Sequence, residues 1–499
     1  MANVAISDLP AATGVSRGSV LPVVVSGVTK KATHAMLSPV VSPLDYGVLG
    51  DGSDEATNLA TMFAASAGCY ILCEPGKTYV SSVAQTLPAG ATLDLAGSTM
   101  NFTVTGAVKN LITSSGTVVK NGTLKNTGTA PSGSGQFQLP INVGDYTTGV
   151  GVSNVRILDL TMDNNRPDGN LIGIWGSSNN ITVDGITVGD NSNIGSVGDA
   201  EWGGDITGTL THPNNLIIRN IKTGNLSRTA AAVVYLGGAI QTLIENIYAT
   251  AVDKATVILY AGDYGLSKAS TNIKALGFGG ITVRNARCDS ANTRGGVYVD
   301  MQAGISLEIY DVDGMLIESS GSHGASISGG AGITIINARG VEVKNCFGTN
   351  HSVGLSVGQN VERLRINGGR YWLNNEHGVS IANGSVAPNY CIADGVRAYA
   401  NGVGGGNKAG IYVQNGTGNE VKNCVLGQSG ETTQVYGVRV DIDALNTVVV
   451  DNHCIDAKDG GVAFSMGSAT TYVTKRFKGN TSGAIGGGGQ IFAGPNPLI

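Results

Sequence analysis

Apolar and polar positions alternate with period two in short lines that recur along the chain, most plainly from Val341 to Phe464. One line reads VEVKNC at Val341, LRINGG at Leu364, CIADGV at Cys391, NEVKNC at Asn419 and VVVDNH at Val448. After a polar stretch each is followed by a second: GLSV at Gly354, GVSI at Gly378, GIYV at Gly410, GVRV at Gly437 and GVAF at Gly461. Such alternation of Val and Ile, closed by Gly, Asn or Asp, predicts strands and not helices. The Asn or Asp of the first line marks the repeat, since Asn345, Asn367, Asp394, Asn423 and Asn452 are 22, 27, 29 and 29 residues apart. Upstream, Asp94, Asn121, Asp159, Asp184, Asn220, Asn246, Asn285 and Asp313 bring the total to 13 markers, hence about a dozen coils. A repeat of this length, with two or three short strands and no crossover helix, predicts an all-β solenoid, the single-stranded parallel β-helix.

In such a coil the inward residues stack on their copies. Val379 and Ile381 would lie about 4.8 Å from Ile411 and Val413, and a dozen coils would make a rod on the order of 60 Å long. Asn suits the bends because it tolerates left-handed backbone and can bond neighbouring main-chain groups. Asn350, Asn374 and Asn401 form a second polar column. The intervals 121 to 159, 184 to 220 and 246 to 285 are swollen to 38, 36 and 39 residues, against a base near 27. Their extra residues are expected to leave the coil as surface loops, where function usually sits on a rigid scaffold.

Composition removes several classes. Charged residues are 13% of the chain and the net charge is −5, so no basic face is expected to grip nucleic acid. No run of about 20 apolar residues predicts a membrane span, and MANVAISDLP lacks the regions of a secretory signal. Cys288, Cys346, Cys424 and Cys454 each lie one to three residues after a marker, which makes them small apolar fillers of the coils. Cys69 and Cys73 have no second pair at zinc-ligand spacing, so neither a metal nor a cofactor is expected.

Residues 1–40 lack the coil wording, and their ISDLPAA, LPVV and GVTKKAT series resembles the virion-attachment segments of phage tail fibres and tailspikes. A leader holding one β-hairpin is the plainer alternative. In DYGVLGDGSDEATNLATMF, Ser53 or Asp51 can cap a helix, Asp54 and Glu55 suit its first turn, and Leu59, Met62 and Phe63 make an apolar stripe ending by Gly68. A short helix there would cover the open edge of the first coil. With the following EPGKTY it resembles the entry to the pectate-lyase-like right-handed β-helix of phage tailspikes and polysaccharide lyases.

Taken together these motifs resemble a bacteriophage tailspike. The expected domains are an attachment segment over 1–40, a cap over 41–90, the β-helix over 91–475 and a Gly-rich tail over 476–499. The resemblance implies a homotrimer assembled in the host cytoplasm and carried on the virion, fixed through residues 1–40 to phage tail or adaptor proteins. It further implies recognition, and often cleavage, of a bacterial surface polysaccharide, either capsule or lipopolysaccharide O-chain. This chain departs from many tailspikes in having no sizeable domain after the coils.

Candidate chemistry lies in two of the swollen intervals. GDNSNIGSVGDAEWGGDITG brings Asp199, Glu201, Trp202 and Asp205 close in sequence, and YAGDYGLSKAS holds Tyr260, Asp263 and Tyr264. Loops two coils apart leave the rod roughly 10 Å from each other, near the 6.5 to 9.5 Å at which two carboxyls can invert a glycosidic bond. One of Glu201 and Asp205 would then be general acid and Asp263 general base, or the reverse, unless these are ordinary solvated carboxylates. Strand parity puts Tyr235, Tyr298 and Asp300 outside, and with Trp175, Trp202 and Tyr260 they could form a stacking path for a glycan or an interface between copies. His323, His351 and His377 precede apolar lines and read as solvated turn residues. Three functions compete: a glycoside hydrolase acting as depolymerase, a receptor-binding spike without chemistry, and a polysaccharide lyase.

Overall fold

In the described coils the chain extends, bends through a left-handed residue, extends again, and turns back through a further strand. The computed structural model describes residues 20–25, 28–33, 40–105, 109–128, 139–164, 169–201, 203–204, 210–228, 231–260, 279–291, 295–301, 310–326, 330–382, 386–457, 462–466, 476–478, 480–482 and 490–493. Fifteen returning strands pair side by side in one long sheet, from Gln85–Leu87 to Gln490–Ala493. The strands before and after the bend form the other walls. They run on across it as Asn214–Leu226 and Ile240–Val252, and separate in later coils as Arg365–Asn367 and Arg370–Trp372. Pairing from coil to coil is parallel throughout, and the chain is a right-handed parallel β-helix.

The markers are the bend. Asn121, Asn220, Asn246, Asn285, Asn345 and Asn423 have φ of 60, 55, 55, 53, 51 and 53°. In four coils the Gly after the marker takes the bend instead, at Gly185, Gly314, Gly368 and Gly395, with φ of 74, 75, 67 and 66°, and at the last marker the bend is Asp451, φ 53°, while Asn452 is buried. The exposed side chains tie one corner to the next: Asn220 donates to Asp184 Oδ1 (2.7 Å), Asn246 to Asn220 Oδ1 (3.0 Å) and Asn285 to Asn246 Oδ1 (3.1 Å).

Register makes the core. Val234 and Leu236 align with Val257 and Leu259, then Val297 and Val299, then Ile333 and Ile335, and all are 0% exposed. The apolar interior continues from Val41 to Phe464. Cys288, Cys346, Cys391, Cys424 and Cys454 fill it, and burial pushes the thiols of the last four up to about 12.

The second polar column is internal. Asn374 Nδ2 donates to Asn401 Oδ1 (2.9 Å) and Asn401 Nδ2 to Gln434 Oε1 (3.0 Å), all three side chains being fully buried. His351, not Asn350, holds the preceding place, its main-chain N–H donating to Asn374 Oδ1 (3.1 Å). Asn350 is a left-handed residue beside it, φ 59°.

The ends depart from expectation. The helix is Ala56–Ala64 with Leu59, Met62 and Phe63 buried, but neither Ser53 nor Asp51 caps it. Glu55 folds back instead, and its carboxylate accepts the N–H groups of Leu49 and Gly50. Coil pairing begins before the helix, since Val40–Val41 pairs with Tyr70–Leu72 and Asp51–Asp54 with Thr78–Ser81. At the far end Arg476–Lys478, Thr481–Ser482 and Gln490–Ala493 add one more coil, so residues 476–493 belong to the solenoid and not to a tail. Within the first 40 residues, Val20–Val25 and Val28–Thr33 form an antiparallel hairpin, and residues 1–19 lie outside the described residues. Among the described residues no helix is long and apolar enough to cross a membrane.

Replacing Asn401 by Ala strands buried groups on both neighbouring coils and is expected to cost about 2–3 kcal/mol, against about 1 kcal/mol for Asn246→Ala at the exposed corner. Urea midpoints at constant slope measure both. Equal shifts would show that the buried column does not hold the stack.

Candidate active site

The strand Ile194–Glu201, in the second swollen interval, belongs to the long sheet. Its Gly198 and Ala200 align with the inward Val234 and Leu236, so Asp199 and Glu201 project from the outer face. Two positions apart on one strand, their Cα atoms are about 6.6 Å apart. The expectation that this stretch is a loop is therefore corrected: the excursion starts later, in a short ribbon pairing Gly203–Gly204 with Leu210–Thr211. Strand geometry fixes the two backbone positions relative to each other.

Both are dry. Asp199 is 4% exposed and Glu201 1%. Asn170 Nδ2 donates to Asp199 Oδ2, while Asp199 Oδ1 meets no hydrogen-bond partner among the described residues. Burial, and then the charge of Glu201, hold the Asp199 carboxyl well above the usual carboxylate range, so it keeps its proton where an exposed Asp would not. Gly237 is the register partner of Glu201 on the next coil. A Cβ there would come within 2.8 Å of Glu201 Cγ, so the carboxyl lies over the space that a missing side chain leaves.

Aromatic groups close the pair in. On the preceding coil Trp175 aligns with Glu201 and donates Nε1–H to Asn142 Oδ1 (3.0 Å). The ring of Tyr146 meets Trp175 edge-on at 5.4 Å, and its hydroxyl is pushed up to about 12 by burial and by the charges of Glu201 and Asp199. On the following coil Tyr235 aligns with Asp199, and then come Ile258 and Tyr298 in the same outward column. Tyr235 and Tyr260 are half-buried with rings 6.5 Å apart, and Tyr298 Oη lies 3.1 Å from Asp300 Oδ2. With Ile258 and Ile336 these rings form an apolar cluster outside the main core. The patch thus offers a proton-holding acid, a second carboxyl and ring faces on one surface.

The predicted residues fare unequally. Glu201, Trp175, Tyr235, Tyr260, Tyr298 and Asp300 are brought together on this face. Trp175, at 1% exposure, and Tyr298, at 6%, are covered by their neighbours, so neither presents a ring face to solvent as a stacking path requires. Asp205, Trp202 and Asp263 lie outside the described residues. Asp199 was missed as a partner of Glu201 because GSVGDAE has too little Val and Ile to read as a strand. Two of the three histidines are not solvated. His351 is 0% exposed with Nε2 2.8 Å from Ser322 Oγ, and His377 accepts the Ala409 N–H at Nδ1 (2.9 Å) and stacks on Tyr412 at 4.5 Å.

Fold and site together define a class, a parallel β-helix with a dehydrated acid pair on the outer face of its long sheet. No protein-family model matches the chain, and no curated protein does. Solved structures resemble it in overall course. Tailspike protein 3 of Bacteriophage CBA120 has a TM-score of 0.48 and 12% identity, over 92% of this chain and 64% of that one. The A-module of a mannuronan C-5 epimerase of Azotobacter vinelandii has a TM-score of 0.44 and 16% identity, over 89% and 99%. The catalytic unit of an α-1,3-glucanase of Streptomyces thermodiastaticus has a TM-score of 0.44 and 13% identity, over 92% and 69%. Likeness at this level carries nothing about individual residues.

Two buried groups give opposite pH signs. Asp199, raised in the folded state, stabilises the fold below its unfolded pKa and loses that contribution as pH rises through the folded value. Asp199→Asn is therefore expected to raise Tm by a few degrees at about pH 8 and to leave it unchanged near pH 3.5. His377 is held at about 3 by burial and by Lys408, so the fold loses stability as pH falls below 6.5, by about 1.4 kcal/mol per pH unit. His377→Gln should flatten that acid limb. Thermal melts across pH measure both variants, and parallel curves for variant and parent would refute either assignment.

Proposed function

We propose that this chain is a tailspike-type β-helix that recognises a bacterial surface polysaccharide and cleaves it as a glycoside hydrolase, using Asp199 and Glu201. The observation that carries this reading is the buried acid pair at fixed strand spacing, flanked by Tyr235 and Tyr260. A carboxyl that keeps its proton where an exposed Asp would lose it is suited to protonate a glycosidic oxygen as the bond breaks. Asp199 takes that role. Glu201 supplies the second carboxyl, either as nucleophile or as base for a water. The separation of the two carboxyls in the bound complex sets the stereochemistry. Asp205 and Asp263 remain candidates for the second role if Glu201 only tunes Asp199. The half-buried tyrosines offer flat apolar faces with a hydroxyl, which suits sugar rings. Residues 1–40 would attach the spike to the phage tail, and a homotrimer would present three such faces.

One observation favours a spike without chemistry: the pair is 4% and 1% exposed, so substrate must displace whatever covers it. Incubation with purified capsule or O-chain, read by size exclusion and a reducing-end assay, separates the readings. Cleavage is expected with the parent chain, and Asp199→Asn and Glu201→Gln should each lower its rate by about a hundredfold or more without loss of folding. Unaltered rates in both variants would sink the assignment. Binding with no change of polymer length would leave the adhesin, and an unsaturated product would make the enzyme a lyase.

A further inference from the structure

The wall that follows the Asn corner carries a second concentration of chemistry. Parallel register sets two outward columns there. One passes from Arg287 through Gly321, Phe347 and Arg370 to Arg397, and the other from His323 through Thr349 and Trp372 to Tyr399. The residues between them, Ser322, Gly348, Tyr371 and Ala398, are buried, so the columns form the outer surface. The rings make a continuous line. His323 lies 5.7 Å from Phe347 and 6.3 Å from Trp372, Phe347 lies 6.5 Å from Trp372, and Trp372 stacks on Tyr399 at 6.2 Å with 18° between planes. The Arg287 guanidinium sits 5.9 Å over the Phe347 ring. A groove of about 370 Å³ opens beside them, lined by Asn345, Phe347, Gly369, Arg370, Trp372 and Arg397.

On the neighbouring wall several cations are neutralised across the coils, Arg219 by Asp184 (2.8 Å), Arg284 by Glu318 (2.9 Å) and Arg339 by Glu362 (2.8 Å), while Arg156 and Arg365 there stand apart from any ring line. Arg287, Arg370 and Arg397 are exposed, and none forms an ion pair among the described residues. Asp289, on the Arg287 strand, accepts instead from the Tyr248 hydroxyl (2.5 Å). Half-buried rings left beside unmatched guanidinium groups are poor solvent surface on a chain whose net charge is −5.

Both features fit one kind of occupant. Ring faces take the apolar faces of sugars, and the planar fork of Arg matches a carboxylate or an ester sulfate with two parallel hydrogen bonds. Coils repeat at about 4.8 Å, close to the length of one sugar unit, so a polymer lying along the rod meets a ring on each of four successive coils from His323 to Tyr399, with a guanidinium on the coil before them and on the last two. We infer that this wall is a binding track for an acidic polysaccharide, with Trp372 and Phe347 as stacking rings and Arg287, Arg370 and Arg397 as anion contacts. The track lies on a different sheet from Asp199 and Glu201 and stands whether or not that pair cleaves anything.

Hyaluronan and chondroitin sulfate supply carboxylate and sulfate probes, dextran a neutral one and single-stranded DNA a polyanion without sugar faces to stack. Titration calorimetry on the full chain is expected to show binding of at least one acidic glycan, weakening as salt is raised, with dextran and DNA bound at least about tenfold more weakly. The double variant Arg370→Ala/Arg397→Ala, whose changes are on exposed side chains, and the single variant Trp372→Ala should each weaken it about tenfold or more. Arg156→Ala, an exposed cation on the neighbouring wall, should bind as the parent does, and because binding is read apart from any release of reducing ends, failure here is distinct from failure of the cleavage reading. Parent-like binding by the double variant, equal affinity for dextran, or equal affinity for DNA would each overturn the inference. So would a change of oligomeric state in the double variant on size exclusion, which would make the wall a subunit interface.

Discussion

The left-handed bend at one corner of each coil is the constraint on which the solenoid depends. A parallel stack repeats every backbone conformation about 4.8 Å further on, so a bend must be tolerable in each coil. Left-handed φ costs an ordinary residue about 1–2 kcal/mol, and Asn, Asp and Gly are the residues that reduce this. Asn220, Asn246 and Asn285 meet the requirement and also bond to one another along the corner. With the bend fixed, the residues on either side are in register. A slip of one residue would turn Val257 and Leu259 to the outside and Ile258 into the core.

The same register allows two carboxyls to sit together without water. A strand reading IGSVGDAE has small inward residues and acidic outward ones, and would not hold its shape alone. Its neighbours impose that shape through the Gly169–Trp175 strand on one side and the Ala232–Gly237 strand on the other. The absent side chain at Gly237 makes room for Glu201, and Asn170 bonds to Asp199. Local sequence preference is violated here while the coil above and the coil below obey it, which is the pattern expected where a scaffold is bent to chemistry.

What could be read in advance follows from the same physics. The Asn markers and the Val and Ile lines were legible because each coil must solve the same steric problem with the same few residues. The stripe of Leu59, Met62 and Phe63 was legible because a lid must be apolar on one side. Strand parity placed Tyr235 and Tyr298 on the outer face but was silent on what covers them, and Tyr298 proved buried. The second polar column was legible in part: Asn374 and Asn401 recur in step, but that the column is internal and that His351, not Asn350, holds its first place had no local sign, because these groups satisfy each other's main chain and side chains across 23 to 27 residues. The last coil was hidden because Gly-rich wording around Gln490–Ala493 carries little strand preference, while pairing with Val462–Met466 supplies the order.

Stacking finally separates electrostatic tasks that would conflict on a smaller fold. Acids brought together in a dry setting raise each other's affinity for protons, as at Asp199, and such a setting tolerates no neighbouring cation that would discharge it. Guanidinium groups meant to hold an anion must stay hydrated and unmatched, as Arg370 and Arg397 are. Placed on adjacent strands the two sets would neutralise each other, as Arg284 and Glu318 do. A coil with several walls keeps them apart by pointing them in different directions, while the length of the rod still lets a single long polymer reach both. Two weak contacts of one chain then reinforce each other through effective concentration, so neither surface needs high affinity by itself.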